Sequence, residues 1–162
     1  MLSFRLRPAT MADMKSYLDL ANDPFVRKNS VNSSTITIEE HEKWYTAKLN
    51  TANSLLLVME IHEAFAGQIR FDVDEETAWI DYSIRPEYRG QGLGAALLQK
   101  GIAEIPKLFR KTVQIAGKVK KDNLPSAKAF LKAGFHEVEN LTDTDASNLR
   151  LFCKTIPLRN LV

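Results

Sequence analysis

The chain has 162 residues, 44% of them hydrophobic and 26% charged, with a formal net charge of +2. This length and composition predict one compact domain over residues 1–162, and the nearly balanced charge favours neither a nucleic acid nor a membrane surface as a partner. The single cysteine, Cys153, excludes an internal disulfide framework and a cysteine cluster for a metal, and it favours a reducing, cytoplasmic location.

Hydrophobic periodicity predicts a mixture of strands and helices. Phe4 and Leu6 alternate with polar residues as a first short strand, and Thr10 is placed to cap a helix that ends at 22–24. The polar stretch 26–37 is aperiodic. The remaining predicted elements are a helix at 39–49, antiparallel strands at 54–61, 65–73 and 77–84, a helix at 94–105 ended by Pro106, a strand at 113–119, a helix at 126–133, and strands through Val138 and over 149–156. We therefore expect an α+β fold with a crossover helix in the middle.

Three of the seven glycines, Gly90, Gly92 and Gly94, fall within five residues at the predicted start of the helix at 94–105. Free backbone amides at a helix N-terminus favour an anion such as a phosphate, and Arg89 offers a charge-assisted contact. The alternative is a turn that only lets the helix pack closely on the sheet. The chain has no Walker A string, which needs a glycine, four residues and then Gly-Lys-Ser/Thr. The dinucleotide fingerprint G-x-G-x-x-G also fails, because the third glycine comes one residue early.

The loop resembles the acyl-CoA loop of the GNAT superfamily of N-acetyltransferases, Arg/Gln-x-x-Gly-x-Gly/Ala, through Arg89, Gly92 and Gly94. A second motif of that superfamily lies some thirty residues downstream. It is matched by Asn123, Ser126, Phe130, Gly134 and Phe135. The resemblance implies a mostly antiparallel central sheet flanked by helices, with two strands splayed where acetyl-CoA, the acyl donor, inserts; no metal is expected. The acyl-CoA residues that it implies are Ile84, Arg89, Gly90, Gln91, Gly92, Leu93, Gly94, Asn123, Ser126 and Phe130.

Direct acetyl transfer to a primary amine needs a base, an oxyanion donor and a proton for the leaving thiolate. Asp81, on the strand before the loop, is the candidate base, with a plain structural role as the alternative. Many relatives protonate the thiolate with a tyrosine at the position of Phe130, which a phenylalanine cannot do. Tyr82, Tyr88, Ser126 or solvent remains for this step, and the backbone amide near Ile84 is the expected oxyanion donor.

The acceptor amine is expected to meet the segment 22–45, which is similar to members that acetylate a nucleotide-linked deoxysugar. Amide and hydroxyl side chains there suit sugar hydroxyls, and Arg27 and Lys28 are available for a diphosphate. The candidate substrate residues are Asn29, Ser30, His41 and Trp44. His41 has a packing role as its alternative.

Two rival functions remain open at this level. One is acetylation of protein N-termini, as on ribosomal proteins, and the other is a noncatalytic acyl-CoA-binding module, which the absent tyrosine favours. The basic run of Lys118, Lys120 and Lys121 either screens the 3′-phosphate of CoA or is a solvated charge run. We expect a small-molecule amine as the partner, no nucleic acid or membrane, and a monomer or homodimer.

Overall fold

The computed structural model describes residues 2–139 and 148–157. In that part of the chain, seven strands form one sheet in the order β1-β2-β3-β4-β5-β7-β6. The strands are β1 Arg5–Pro8, β2 Ser54–Ile61, β3 Ala64–Asp74, β4 Thr77–Ile84, β5 Gln114–Lys120, β6 His136–Val138 and β7 Leu149–Thr155. The helices are α1 Met14–Ala21, α2 Pro24–Asn29, α3 Ile38–Leu49, α4 Leu93–Ile102, α5 Ile105–Leu108 and α6 Leu124–Lys132. None of these helices is long and apolar enough to cross a bilayer.

The sheet is antiparallel throughout except at β4 and β5, which are parallel and are joined through the crossover helix α4. A parallel pair needs such a crossover, because a short turn can only reverse the chain. The mixed α+β fold with an antiparallel meander followed by a crossover is therefore confirmed.

Helices cover both faces of the sheet. On one side, which we call the α4 face, Ile69, Ile80 and Ile115 pack with the apolar residues of α4 and α6 in the main core. On the other side, the α3 face, Tyr17 of α1 and Tyr45 of α3 pack against β2. Both buried hydroxyls are satisfied, since Tyr17 donates to the Leu57 carbonyl at 2.8 Å and Tyr45 to the Thr10 carbonyl at 2.7 Å. The α3 face is thereby closed over β2, whereas Asp81 and Lys118 on the same face are exposed.

A cleft opens between β4 and β5. Their ladder holds only the pairs Thr77↔Gln114, Ala78↔Ile115 and Trp79↔Ala116, although β4 continues to Ile84 and β5 to Lys120. The Arg85 amide donates to the Ala66 carbonyl on the β3 side. Because successive amides of a strand point to opposite edges, the amide of Ile84 faces the cleft. The expected splay of two central strands is confirmed.

Two predicted element boundaries are wrong for local reasons. The segment 26–37 was expected to be irregular, but α2 forms at its start because Asp23 caps the helix by accepting from the Val26 amide and Pro24 occupies the first turn. Pro106 was expected to end a helix at 105. Instead α4 ends at Ile102 and Pro106 lies in the first turn of α5, where its missing N–H costs no hydrogen bond.

Candidate active site

The glycines of the loop serve two different purposes. Gly90 and Gly92 have φ values of +73° and +74°, and a Cβ at either position would meet open space. They are needed for the left-handed backbone, which glycine adopts without strain. Gly94 instead allows close packing, since a Cβ there would lie 3.3 Å from the Ala129 Cβ and 3.5 Å from the Tyr82 hydroxyl. The close-packing interpretation therefore describes Gly94, whereas anion binding by the backbone around Gly90 and Gly92 stays a prediction.

The loop presents backbone rather than side chains at the N-terminus of α4. Gly90, Gln91 and Gly92 are exposed, whereas the side chain of Leu93 is fully buried in the core. Only the backbone of Leu93 is thus available to a ligand. The positive end of the helix dipole and the exposed amides are suited to an anion.

Arg89 connects the loop to two other elements. Its Nε donates to the Ile84 carbonyl at 2.8 Å, and its Nη2 lies 2.9 Å from Asp23 Oδ2, at the N-terminus of α2. The guanidinium also stacks on the Phe25 ring at 4.8 Å. Arg89 therefore positions the loop against β4 and α2, and its contact with a phosphate stays a prediction.

The second motif builds the other wall of the cleft. Asn123 caps α6 by accepting from the Ser126 amide at 3.3 Å, and the Ser126 Oγ accepts a 3.1 Å hydrogen bond from the Tyr82 hydroxyl. Burial raises the pKa of Tyr82, so this hydroxyl keeps its proton at neutral pH. The structure therefore joins two of the candidate proton donors in one hydrogen bond.

Phe130 is a core residue with only 2% of its surface exposed. Its ring packs against Tyr82 at 5.9 Å, Phe135 at 4.9 Å and Phe152 at 5.3 Å between centroids. Its Cζ, where a tyrosine would carry the hydroxyl, points at Gly117 of β5, only 2.4 Å from where a Cβ on that glycine would lie. The ring is directed at β5 and lies in the core rather than lining the cleft.

Asp81 lies on the α3 face, opposite to Tyr82, because neighbouring strand residues point to opposite sides. Gln68 donates from one amide nitrogen to Asp81 Oδ2 at 2.9 Å and to Ser83 Oγ at 3.1 Å. Arg70 places its Nη1 3.8 Å from Asp81, and its guanidinium covers the Trp44 ring at 4.9 Å. Gln68 and Arg70 were not among the residues predicted for the site, although the register of the β3–β4 hairpin, Gln68↔Ser83 and Arg70↔Asp81, was the signal for both.

The polar side chains after α1 mainly bind their own backbone. Asn29 donates to the Phe25 carbonyl at 2.9 Å, and Ser30 donates to the Val26 carbonyl at 2.7 Å. Arg27 donates to the carbonyls of residues 21, 32 and 34 and to Ser30 Oγ, and burial lowers its pKa. Its guanidinium is occupied by this segment, contrary to the expectation that it is available for a diphosphate.

His41 lies between α1 and α3. Only 3% of its surface is exposed, its Nε2 lies 3.0 Å from the Met14 carbonyl, and its ring contacts Trp44 and Tyr45. Burial lowers its pKa, so the ring is neutral and donates to that carbonyl. His41 therefore has the packing role that was the alternative for it. A substrate contact does not fit, because almost none of the ring is exposed.

Comparison with known proteins identifies the class. Residues 3–136 match the family model described as an acetyltransferase (GNAT) domain, so the chain belongs to this family and is an N-acetyltransferase. Among proteins with curated descriptions, none matches the sequence significantly.

Solved structures agree with this fold. One is a spermidine N-acetyltransferase from Vibrio cholerae in complex with CoA and spermine, with a TM-score of 0.81, 16% identity, and coverage of 94% of this chain and 95% of that chain. A ribosomal L7/L12 α-N-protein acetyltransferase with coenzyme A has a TM-score of 0.81, 15% identity and coverage of 98% and 97%. An aminoglycoside acetyltransferase with coenzyme A has a TM-score of 0.77, 17% identity and coverage of 94% and 95%. At these identities the likeness establishes the shared fold.

Proposed function

We propose that this enzyme acetylates the primary amine of a small molecule where β4 and β5 separate, with Asp81 and Tyr82 acting from opposite faces of β4. The observation that supports this most is their placement. Tyr82 points toward α6 and hydrogen-bonds Ser126, while the adjacent Asp81 points to the open part of the α3 face. The candidate acid and the candidate base therefore lie on opposite faces of β4, so each can serve a different partner of the transfer.

The cleft and the loop fit the acyl donor. The amide of Ile84 faces the cleft beyond the last β4–β5 pair, where it can donate to a pantetheine carbonyl or to the developing oxyanion. The exposed amides of 90–92 and the N-terminus of α4 are suited to the pyrophosphate. Asn123 and Ser126 border the same cleft from α6. Acetyl-CoA, when bound, supplies the acetyl group as a thioester.

Asp81 serves as the base in this proposal. Its side chain is 55% exposed, so an acceptor amine can reach it from solvent. Gln68 fixes one carboxylate oxygen by a hydrogen bond, and Arg70 places its Nη1 3.8 Å from the same oxygen. Asp81 therefore receives the proton that the amine must lose before or during its attack on the acetyl carbonyl.

Tyr82 and Ser126 together replace the absent tyrosine at position 130. The Ser126 oxygen accepts from Tyr82, which leaves the proton of the serine hydroxyl free to be donated elsewhere. A proton that leaves Ser126 toward the departing thiolate is replaced from Tyr82, and Tyr82 regains a proton from solvent, to which Asp81 releases the proton taken from the amine. Phe130 contributes by holding the Tyr82 ring in place through an edge-to-face contact.

We propose a nucleotide-linked amino sugar as the acceptor. The open part of the α3 face next to Asp81 carries Trp44 and Trp79, and each of these rings is covered by a cation, Arg70 and Lys118 respectively. Flat apolar rings beside cations are suited to a sugar joined to phosphate groups.

Thiol release from acetyl-CoA tests this proposal with nucleotide-linked amino sugars and N-terminal peptides as acceptors. Asp81→Asn is expected to lower kcat/KM by about 10²- to 10⁴-fold and to change its pH profile, whereas Glu87→Gln, a nearby exposed carboxylate, should do neither. Tyr82→Phe is expected to lower kcat, with Tyr88→Phe as the matched control. Turnover of peptides alone would favour the N-terminal acetyltransferase, and CoA binding without any turnover would overturn the catalytic proposal.

A further inference from the structure

We infer that Asp23, Arg89 and Lys120 are positioning residues, which hold the short helix α2 across the open end of the cleft between β4 and β5. This inference rests on the proposed function in one respect, because it takes this cleft as the place of acetyl transfer. It goes further by giving Arg89 a partner on the acceptor side of the cleft and by assigning roles to Asp23 and Lys120, which the chemical step does not use.

The first connection joins α2 to the edge of β4 that faces the cleft. The Arg89 Nε donates to the Ile84 carbonyl at 2.8 Å, and its Nη2 lies 2.9 Å from Asp23 Oδ2. Because the amide and the carbonyl of one strand residue point to the same edge, the Ile84 carbonyl faces the cleft, as its amide does. The guanidinium therefore lies at the mouth of the cleft, over the Phe25 ring of α2 at 4.8 Å.

The ion pair of Arg89 and Asp23 is sheltered from water. The two side chains are 26% and 13% exposed, whereas those of the surface pair Lys15 and Asp19 on α1 are 83% and 51% exposed. Exposed pairs are screened by solvent and contribute little. Removing one partner of a sheltered pair instead leaves the other charge poorly hydrated and without its counter-ion. The contact of Arg89 with Asp23 is therefore suited to fixing α2 in place.

The second connection joins the other end of α2 to β5. The Lys120 Nζ donates to the Lys28 carbonyl at 2.7 Å. The last carbonyls of a helix have no partner within that helix, so this contact satisfies one of them. Lys120 ends β5 as Ile84 ends β4, and the ladder between the two strands has already ended there. The helix thus connects the two strands where they no longer pair with each other.

The position of α2 relates both connections to the acceptor. Burial lowers the pKa of Arg27, in the middle of α2, and the negative charge of Asp81 opposes this shift. The helix therefore lies within electrostatic reach of the candidate base. Arg27 also donates to the carbonyls of residues 21, 32 and 34, which joins α2 to the end of α1 and to the segment that follows it. The place of the whole segment 21–34 beside Asp81 thus depends on how α2 is held.

Hydrogen exchange measured by NMR tests this placement of α2 without any acceptor. Asp23→Asn is the sharpest variant, because asparagine caps a helix as well as aspartate does but cannot neutralise Arg89. The amides of 27–30 should exchange about ten- to a hundredfold faster, the effect of losing a charge-assisted hydrogen bond, while the amides of β2 keep their wild-type rates. Lys120→Met should have the same effect.

Two control variants are matched to these changes in charge. Asp19→Asn removes the carboxylate of the exposed pair on α1, and Lys111→Met removes an exposed lysine that precedes the other end of β5. Both should leave the exchange rates in α2 unchanged. Wild-type exchange in both Asp23→Asn and Lys120→Met, or equal acceleration in the controls, would overturn the inference.

Kinetics distinguish a positioning role from a general loss of structure. With acetyl-CoA and the acceptor that the enzyme uses, either a UDP-linked amino sugar or an N-terminal peptide, Asp23→Asn should raise KM for that acceptor about tenfold. The Kd for CoA, measured by calorimetry, should stay within about threefold of the wild type.

The remaining outcomes separate this inference from the proposed function. Faster exchange in α2 with an unchanged acceptor KM contradicts the positioning role. A large change in the Kd for CoA with wild-type exchange in α2 assigns the pair of Arg89 and Asp23 to the acyl donor and also contradicts it. If the wild-type enzyme acetylates neither acceptor, the proposed function fails, while the exchange rates still decide whether these residues hold α2.

Discussion

Gly117 of β5 is a position where a small change should have a large effect on stability. A Cβ there would lie 2.4 Å from the Phe130 Cζ and 2.7 Å from its Cε1, far inside van der Waals contact. The Phe130 ring cannot withdraw, because Tyr82, Phe135 and Phe152 surround it. Gly117→Ala must therefore displace packed core groups.

The expected cost follows from overpacking of a rigid core. We expect Gly117→Ala to lower the free energy of unfolding by about 2 to 3 kcal/mol, in the upper part of the usual range for an added carbon. A chain of this size loses about 2 to 4 °C in Tm per kcal/mol, so Tm should fall by roughly 4 to 12 °C. Because the displaced ring presses on Tyr82, kcat should fall as well.

Calorimetry and urea unfolding measure this effect, and two further variants identify its cause. Gly94→Ala is the matched control, since its Cβ would lie 3.3 Å from Ala129 and alanine favours the helix; its stability should stay within about 1 kcal/mol of the wild type. Adding Phe130→Leu to Gly117→Ala should cost less than the sum of the single changes, with coupling of about 1 kcal/mol or more. A wild-type Tm for Gly117→Ala, or strictly additive costs, would refute the proposed confinement of the ring.

Three further outcomes are expected. Gly92→Ala should lower the free energy of unfolding by about 1 kcal/mol because the φ of Gly92 is +74°, and it should raise KM for acetyl-CoA. Gly92→Asn should lower the melting temperature less than Gly92→Ala does. Burial lowers the pKa of His41, so as pH falls below about 6.5 the imidazole takes up a proton in the unfolded state before it does so in the folded state. Urea melts should therefore show the free energy of unfolding falling from pH 7 to 5.5, and His41→Gln should remove this pH dependence. Hydrogen bonds from Arg7 lower the pKa values of Asp13 and Glu60, so the stability that they add above about pH 4 should be lost on acidification, and Arg7→Met should flatten this loss.

The parts of the site that lie within one segment could be predicted. The left-handed glycines of the loop and the Asn123 cap of α6 depend on local backbone conformation, which short sequence patterns report directly. The bounds of β2 and β4 agree with the predicted 54–61 and 77–84, because β2 carries a continuous apolar run and β4 alternates apolar with polar residues. The short helix α2 was missed, since six residues carry too little periodicity to be detected.

The contacts between distant segments could not be predicted in the same way. Tyr82 and Ser126 are 44 residues apart in sequence, and Phe130 was expected to line the cleft although three other rings enclose it. His41 was a candidate for substrate contact, but its exposure depends on where α1 packs across α3. These outcomes depend on which side chains the folded chain brings together, and no local pattern encodes that.

The amino-acid sequence by itself determined the class of this protein, because the glycine loop and the Asn123–Phe135 motif each require a particular backbone shape or spacing that few other folds share. The tertiary structure alone decided how the candidate base Asp81 and the candidate proton donor Tyr82 are arranged. The strands β4 and β5 separate after Trp79 and Ala116, and the strand pleat then turns Tyr82 toward α6 and Asp81 toward the open face. Strand pairing across the sheet, rather than any residue in isolation, is the physical reason for that division.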